Sequence, residues 1–398
     1  MSSILNRIPF LKDISQRALR AAEREATWFC VPGGAMLFDE GSNSDAIYFV
    51  LSGSFGAFRR NLNGGSEFLG HIRPGEPVGE MAMLAGEAHT NAVFAVRDSE
   101  VVKLPRATFM KLVRSSPQVL ERLSRTLLVR LRQTRRQNQR AEPKVFALTA
   151  ASPTIDLRLR AKMLAEALER SGLKAIIVGD EADGKNAEYF DNLEAQNDLV
   201  ILISTIGDSS WFKLSLRQAD RIWVLARPDA VPSSPLLPDE TSPAKNLRLI
   251  DIVLIQHNNG RRVSSPTDWI DAASAARCFH WTGLGNTESD RLARIMAGRS
   301  IGLVLSGGGA RAYAHIGLVK ALRESQCPID FVGGSSMGAI IAACVAHGWE
   351  DEEIDFRIRK AFVESNPLGD YHLPVVSLVK GKRVDTRLKE HFGDINIS

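Results

Sequence analysis

A serine flanked by glycines, in the pentapeptide Gly-Ser-Ser-Met-Gly at residues 334–338, has the G-x-S-x-G spacing of a nucleophile elbow. An apolar run at 329–332 precedes it and a helical pattern follows, so the serine is predicted to lie on a sharp strand-to-helix turn. The flanking glycines are required because side chains there would collide with the neighbouring strand and helix. These residues predict that Ser336 is a nucleophile for acyl transfer.

A second glycine-rich turn, Gly-Gly-Gly-Ala-Arg at residues 307–311, lies shortly before this serine. It follows an apolar run at 301–305 and opens a helix-like segment at 310–324, which gives a second strand–turn–helix unit. Free main-chain N–H groups at such a turn, together with those at the start of the helix after Ser336, can stabilise an oxyanion. The two turns together predict a nucleophile with its oxyanion hole.

Other interpretations of these glycines remain. The first turn also fits the dinucleotide pattern G-x-G-x-x-A, which requires an acidic residue about twenty positions on, at the end of a second strand. Asp330 lies near that distance but begins the next strand. Alternatively, the glycines only allow a helix to pack closely on a strand. The order and spacing of the two turns favour the hydrolase interpretation.

The string SGGGARAYAHIGLVKAL followed by GGSSMGAI resembles the patatin-like phospholipases. That family has a glycine-rich oxyanion loop, a G-x-S-x-G elbow and a later D-G-G or D-G-A sequence that carries the base of a Ser–Asp dyad. The resemblance implies that Ser336 is the nucleophile and needs no metal or organic cofactor. It also implies an anion-stabilising loop formed by Gly307, Gly308, Gly309 and Arg311. Ala312 stands where the family usually has glycine.

The aspartate of the dyad has no match after Ser336, because neither D-G-G nor D-G-A occurs there. Serine needs an adjacent base to become a good nucleophile. The remaining candidates, each more typical of an ordinary surface group, are Asp370, Asp385, Asp394, His347 and His372. We therefore expect an interrupted catalytic domain at 299–398 that is active only when the missing part is supplied.

The N-terminal segment, residues 1–140, has short alternating apolar runs separated by glycine turns, a pattern typical of an antiparallel β-roll. The strings PGGAMLFDEG, YFVLSG and PGEPVGEMAML resemble the cyclic-nucleotide-binding domain. By that resemblance Gly79 and Glu80 begin the helix that cradles the cyclic phosphate, and Glu80 takes the ribose hydroxyl. His89 lies where the family has a phosphate-binding arginine. Since histidine is mostly neutral at pH 7, we expect a roll without tight nucleotide binding, with a live cyclic-nucleotide site as the alternative.

Residues 104–140 end in a long helical pattern rich in arginine. One interpretation is contact with nucleic acid or phospholipid, and the favoured one is a solvated connecting helix that pairs with a second subunit in a homodimer. An α/β pattern follows where a DNA-binding protein would have a helix-turn-helix, so we predict no nucleic-acid partner. The arginines are Arg130, Arg132, Arg135, Arg136 and Arg140.

The middle segment, residues 141–298, alternates apolar runs with helical stretches, which predicts a parallel, doubly wound, Rossmann-like α/β domain. No phosphate loop ending in Gly-Lys-Ser/Thr occurs there, and we assign the segment no chemistry. The predicted strands are 145–148, 175–178, 199–203, 221–225 and 252–255, with helices at 157–170 and 211–218.

The order of roll, α/β domain and patatin-like start resembles the neuropathy-target-esterase group of that family over essentially the whole chain. It implies hydrolysis of carboxylic esters of phospholipids or lysophospholipids. Four scattered cysteines without metal spacing favour a reducing compartment, and the sequence contains neither a signal peptide nor a membrane-spanning run. We expect a multidomain cytoplasmic α/β protein that contacts membrane surfaces peripherally, consistent with a net charge of only +4.

Overall fold

The structure divides the chain into two compact units, Met1–Asn286 and Thr287–Ser398. It is a computed structural model that describes residues 4–61, 65–133, 142–238, 242–256, 263–365 and 381–393. The first unit holds a β-roll and a parallel sheet, and the second holds both glycine-rich turns. The finer division at residues 140 and 298 remains a prediction.

Eight short strands form the predicted roll. They are β1 (Thr27–Val31), β2 (Met36–Phe38), β3 (Ala46–Ser52), β4 (Phe55–Arg60), β5 (Ser66–Ile72), β6 (Pro77–Val78), β7 (Ala92–Ala95) and β8 (Ser99–Pro105). They pair antiparallel in two sheets, of order β1-β8-β3-β6 and β2-β7-β4-β5. Val50, Phe55 and Val93 fill the space between the sheets. The expectation of an antiparallel β-roll is confirmed.

Helices cover the outer face of the β3–β8 sheet. They are α1 (Gln16–Glu23), α2 (Glu80–Ala85), α3 (Arg106–Ser115) and α4 (Gln118–Gln133). Phe49 follows the pleat of β3 to the side opposite Val50, and there it packs with Phe109 of α3 and Leu123 of α4. The strand β3 is therefore buried on both faces, and α4 is part of the roll's outer core.

The middle of the chain forms one six-stranded sheet of order β10-β11-β9-β12-β13-β14, and every pairing in it is parallel. The strands are β9 (Val145–Ala150), β10 (Ala175–Val178), β11 (Leu199–Thr205), β12 (Arg221–Ala226), β13 (Leu249–Gln256) and β14 (Arg277–Thr282). The helices are α5 (Leu157–Arg170), α6 (Ala187–Gln196), α7 (Ser210–Gln218) and α8 (Pro266–Ala273). The doubly wound α/β prediction is confirmed.

Alternation along the strands gives this sheet two apolar faces. On one face the Trp223 ring contacts Phe146 edge to face and Phe279 at a tilt, each with ring centroids 5.8 Å apart. Val145 and Ile222 point to the other face. All five predicted strands are present. The edge strand β14 was not predicted, because its polar Arg277 and His280 interrupt the apolar run by which buried parallel strands are recognised.

The second unit contains two strand–turn–helix units side by side. Its elements are α9 (Asn286–Met296), β15 (Gly302–Leu305), α10 (Ala314–Glu324), β16 (Phe331–Gly334), α11 (Met337–Ala346), α12 (Asp351–Ile358) and α13 (Lys382–Phe392). The strands β15 and β16 pair in parallel, and Leu305, Ile341 and Trp349 lie in the apolar core beneath them. This arrangement is the partial α/β domain that the sequence predicted. Within the described ranges, no helix combines the length and apolar character needed to cross a bilayer.

Buried charges join the roll to the α/β sheet within the first unit. Arg97, in the turn between β7 and β8, is buried and donates hydrogen bonds to Glu194 of α6 and to Asp220. Beside it, Arg217 Nε donates to Asp98 Oδ1 at 2.8 Å. Because an ion taken out of water needs opposite charge and hydrogen bonds, this cluster fixes the turn of the roll on the edge of the sheet.

We predict that Arg97→Met lowers the free energy of unfolding by about 3–5 kcal/mol, because it leaves Glu194 and Asp220 without their buried cation. Urea denaturation followed by circular dichroism measures the change. Arg60→Met is the matched control, since Arg60 pairs with Asp39 at the surface, where such pairs contribute about 0–1 kcal/mol. Equal effects of the two substitutions would show that the Arg97 cluster is not stabilising.

Candidate active site

Ser336 lies at the turn between β16 and α11, and it is exposed. Its backbone angles, φ 52° and ψ −130°, are in a region that residues with a side chain rarely occupy. Such a conformation persists only where the surrounding structure determines it. The serine is therefore held on a strained strand-to-helix turn, with its side chain outside the packed core.

The two flanking glycines allow close contacts of main chain on main chain, Gly334 with the first turn of α11 and Gly338 with the end of β15. A Cβ on Gly334 would lie 2.6 Å from the carbonyl carbon of Gly338. A Cβ on Gly338 would lie 2.4 Å from Ser306 O and 2.5 Å from Leu305 O. Neither position can hold a side chain without moving the main chain, which is the steric reason for the G-x-S-x-G pattern.

The triple-glycine turn and the serine lie next to each other. In the register of the β15–β16 pair, Leu305 is opposite Gly334, so the turns after the two strands begin at the same level. A Cβ on Gly307 would lie 3.0 Å from Ser336 Cβ. The structure thus brings the predicted nucleophile against the predicted anion-stabilising loop.

Not all main-chain N–H groups of this loop are available in the observed conformation. Gly307 N donates to Ser335 Oγ at 3.0 Å, and Arg311 N donates to Gly308 O at 3.1 Å inside the short turn. Within the described residues, no acceptor is found for the N–H groups of Gly308, Gly309 and Ala310. These three groups are candidate donors for an oxyanion, which adds Ala310 to the residues assigned to the loop.

Two further contacts shape the loop. The ring Nε2 of His315, on α10, lies 2.9 Å from Ser306 O, and the carbonyl acceptor implies that this nitrogen carries the proton. The Ala312 methyl group is buried in the core of the second unit with Leu305 and Ile341. The core therefore accommodates the alanine at a position where the resembling family usually has glycine.

The structure does not place a base on the serine. Within the described residues, no carboxylate or imidazole is hydrogen-bonded to Ser336 Oγ. Ser336 and His347 cap the two ends of the ten-residue helix α11, so they are separated by roughly 16 Å along its axis. Asp385 is exposed on α13, where it pairs with Lys389. The other three candidates, Asp370, Asp394 and His372, lie outside the described residues.

Asp330 has a structural role at the opposite end of the strand pair. Its buried carboxylate accepts hydrogen bonds from Arg294 Nη2 at 2.7 Å and from Ile301 N at 2.9 Å. It therefore ties α9 and the start of β15 to the start of β16. An aspartate held in this way is not available for a ribose, which removes the support for the dinucleotide interpretation.

In the roll, the three predicted nucleotide-site residues lie together but contact other parts of the chain. Gly79 begins α2 with a φ of +78°. The buried Glu80 carboxylate accepts a hydrogen bond from Arg130 Nη1 at 2.6 Å. The buried His89 ring stacks on Phe38 with centroids 3.8 Å apart. Burial raises the pKa of Glu80, which Arg130 opposes, and burial lowers the pKa of His89.

The prediction that the arginines of the connecting helix form a solvated surface is wrong for Arg130. Its side chain is only 25% exposed, because it reaches back to Glu80. Helical periodicity places a residue on a face but does not give the long-range partner of a flexible side chain. The four arginines that follow, Arg132, Arg135, Arg136 and Arg140, lie beyond the described side chains.

Comparisons with known proteins match the two ends of the chain. Residues 29–116 match the cyclic nucleotide-binding domain, and residues 303–394 match the patatin-like phospholipase domain. The matched regions contain the roll and the two glycine-rich turns. Within the described residues, no group of histidine, cysteine and acidic side chains could hold a metal ion.

Relatives match most of the chain's length. An uncharacterized NTE family protein of Mycobacterium tuberculosis is 30% identical over 98% of this chain and 66% of its own length. A protein named lysophospholipase NTE1, from Phaeosphaeria nodorum, is 25% identical over 86% of this chain and 28% of its own length. Among solved structures, the catabolite activator protein of Thermus thermophilus is 26% identical over 42% of this chain and 72% of that chain, with a TM-score of 0.29.

The elbow serine, the glycine loop and the antiparallel roll thus define a protein with a patatin-like segment and a cyclic-nucleotide-binding fold. The chain belongs to the patatin-like phospholipase family, in its NTE group. It spans just under two thirds of the length of the mycobacterial relatives and about a third of the length of the animal ones.

We predict that Ser336→Gly is more stable than Ser336→Ala, by about 1 kcal/mol, because glycine tolerates a positive φ that costs alanine free energy. Both substitutions remove the hydroxyl, so the difference isolates backbone strain. Thermal and urea unfolding of the second unit measure it. An alanine variant as stable as the glycine variant would mean that the turn relaxes and that Ser336 is not strained.

Proposed function

We propose that this chain provides the nucleophilic segment of a serine esterase that hydrolyses carboxylic esters of phospholipids or lysophospholipids. The observation that carries the proposal is the position of Ser336, exposed on a strained elbow against the triple-glycine loop. Family membership supports a lipid ester as the substrate class, and the name of the fungal relative supports a lysophospholipid.

In the proposed reaction, Ser336 Oγ attacks the acyl carbonyl carbon, and its proton passes to a base. The carbonyl oxygen becomes an oxyanion that accepts hydrogen bonds from the loop N–H groups. The tetrahedral intermediate collapses, the ester C–O bond breaks and the alcohol portion of the lipid leaves with a proton. Water then cleaves the acyl-serine ester, which releases the fatty acid and regenerates the hydroxyl.

The base of this reaction is an aspartate by family resemblance, and it would complete a Ser–Asp dyad. The described part of the chain leaves Ser336 without one, so we propose that turnover requires an aspartate brought to the serine from residues outside the described ranges. The oxyanion donors do not depend on that aspartate, because they are main-chain groups of a turn fixed by glycine.

We further propose a cytoplasmic protein that contacts membranes peripherally, where its substrate lies. Phe356 and Val363 are 64% and 57% exposed, with Arg359 and Lys360 at the intervening helical positions. An apolar and cationic helix face of this kind suits the interface of a bilayer. Flotation with phosphatidylcholine vesicles tests the contact, which Phe356→Ser should weaken.

We also propose that the chain pairs with a second copy of itself to form a homodimer. Leu120 and Leu128, two turns apart on α4, are 46% and 56% exposed and leave an apolar stripe on the roll's surface. Sedimentation equilibrium at several protein concentrations distinguishes a dimer from a monomer.

A second candidate function is a non-catalytic scaffold or cyclic-nucleotide sensor. It is favoured by the absence of a base at Ser336 within the described residues. Titration calorimetry with cyclic AMP and cyclic GMP tests the sensor.

The esterase is tested by covalent labelling. We expect a fluorophosphonate probe to modify Ser336, and Ser336→Ala to abolish the labelling. Ser325→Ala is the matched control, since Ser325 is an exposed hydroxyl at the end of α10, in the same unit but outside both glycine-rich turns. Mass spectrometry of the labelled peptide identifies the modified residue.

Because the base is not described, the same labelling is repeated on the full product of the gene, whatever its length, with lysophosphatidylcholine hydrolysis as a second measurement. Absence of both labelling and hydrolysis in that protein, with Ser336 intact and the protein folded, would contradict the esterase and favour the scaffold.

A further inference from the structure

The position of Arg130 against Glu80 gives the roll a property that its resemblance to nucleotide-binding domains does not imply. Glu80 is the carboxylate expected to accept the ribose hydroxyl. It is 2% exposed, and Arg130 Nη1 donates to it at 2.6 Å. The second terminal nitrogen of Arg130 donates to Pro77 O at 2.9 Å and lies 3.3 Å from Glu76 Oε2. One guanidinium thus bridges three acceptors of the segment that leads into α2.

The phosphate side of the same site is filled as well. The buried His89 ring stacks on Phe38, and its Cε1 lies 3.0 Å from where a Cβ on Gly79 would be. Burial lowers the pKa of this histidine, which disfavours the positive charge that would pair with a phosphate. Arg130 therefore lies at the expected ribose position and His89 at the expected phosphate position.

A ribose cannot simply replace the arginine. A hydroxyl group donates a hydrogen bond but brings no positive charge, and a buried carboxylate without a counter-charge is strongly disfavoured. A nucleotide would therefore have to displace a cation from Glu80 without substituting for its charge. Displacing Arg130 would leave Glu80 without its counter-charge whether or not a ligand is present.

Arg130 also connects the second half of α4 to the roll. The first half of this helix is held by Val119 and Leu123 in the core and by Arg122, which donates to main-chain oxygens and pairs with Asp13 at 2.6 Å. Among the described side chains after Leu123, Leu127 packs on the core and Arg130 makes the polar contact. The neighbouring Arg125, Leu128 and Val129 are exposed, so among the described side chains Leu127 and Arg130 hold this half of the helix to the roll.

We propose that Arg130 is a built-in occupant of the ribose-binding carboxylate, which holds α4 closed on the roll in the absence of any nucleotide. The helix α4 then lies against the roll with or without a nucleotide, and the roll's own residues set this position. This proposal concerns the roll alone and does not depend on the esterase activity of the second unit.

Amide hydrogen exchange of the full chain tests the proposal, with the 118–133 peptides as the readout. In Arg130→Met we expect the amides in the second half of α4 to exchange about tenfold faster or more, while those of β3 and β8 keep their rates. Arg125→Met is the matched control, because Arg125 is on the same helix and pairs with Glu121 at the exposed surface. It should change exchange by less than about twofold. In the unsubstituted protein, millimolar cyclic AMP or cyclic GMP should leave the exchange of α4 unchanged.

If Arg130→Met also loosens β3 and β8, Glu80→Gln provides the decisive measurement, since it keeps the shape and the hydrogen-bond acceptor but removes the charge. Faster exchange confined to the second half of α4 in that variant supports the proposal. Two results would overturn it: exchange of α4 equal to the unsubstituted protein in Glu80→Gln and in a folded Arg130→Met, or added protection of α4 by a cyclic nucleotide.

Discussion

The contact between Gly338 and the carbonyl groups of Leu305 and Ser306 is the constraint on which the candidate site depends. It is a contact of main chain on main chain, with no room for a single added carbon. It sets how closely the helix after Ser336 approaches the end of the neighbouring strand, and hence how closely the serine approaches the glycine loop. At the other end of the pair, Asp330 links both strand starts through its carboxylate and fixes their register.

The first unit depends on a different kind of interaction, in which long side chains are buried with their charges paired. Arg97 extends from a turn and Arg130 from a helix, and each pairs with carboxylates that are partly or fully buried. A buried ion pair adds little stability compared with apolar residues of the same size. Conformations that separate its two charges are strongly disfavoured, because each charge would then be buried without a partner. They specify one position for the roll's last turn and one for α4, which apolar contacts alone would define less strictly.

The fold could be predicted where a sequence pattern is local. Five strands of the parallel sheet were found as apolar runs, and the elbow was found because its glycines and serine lie within five residues. The contacts of Arg97 and Arg130 could not be predicted, since their partners are about 50 to 120 residues away and periodicity carries no information on them. The oxyanion loop lies between these cases. Its glycines were predicted, but which N–H groups point outward depends on a side chain, Ser335, that is close only in space.

In the proposed esterase, the placement of the nucleophile and its activation are separate physical requirements with different structural sources. Placement and oxyanion stabilisation come from main-chain groups in two adjacent turns, and donors of this type contribute about 10²–10³ in rate. Activation requires a base, which adds roughly 10²–10⁴ and is a side chain outside the two turns. Glycine geometry therefore fixes the first contribution locally, without any charged residue. A strongly electrophilic reagent needs less activation of the serine than an ordinary ester does. Covalent labelling of Ser336 is therefore less sensitive to the base than ester turnover is.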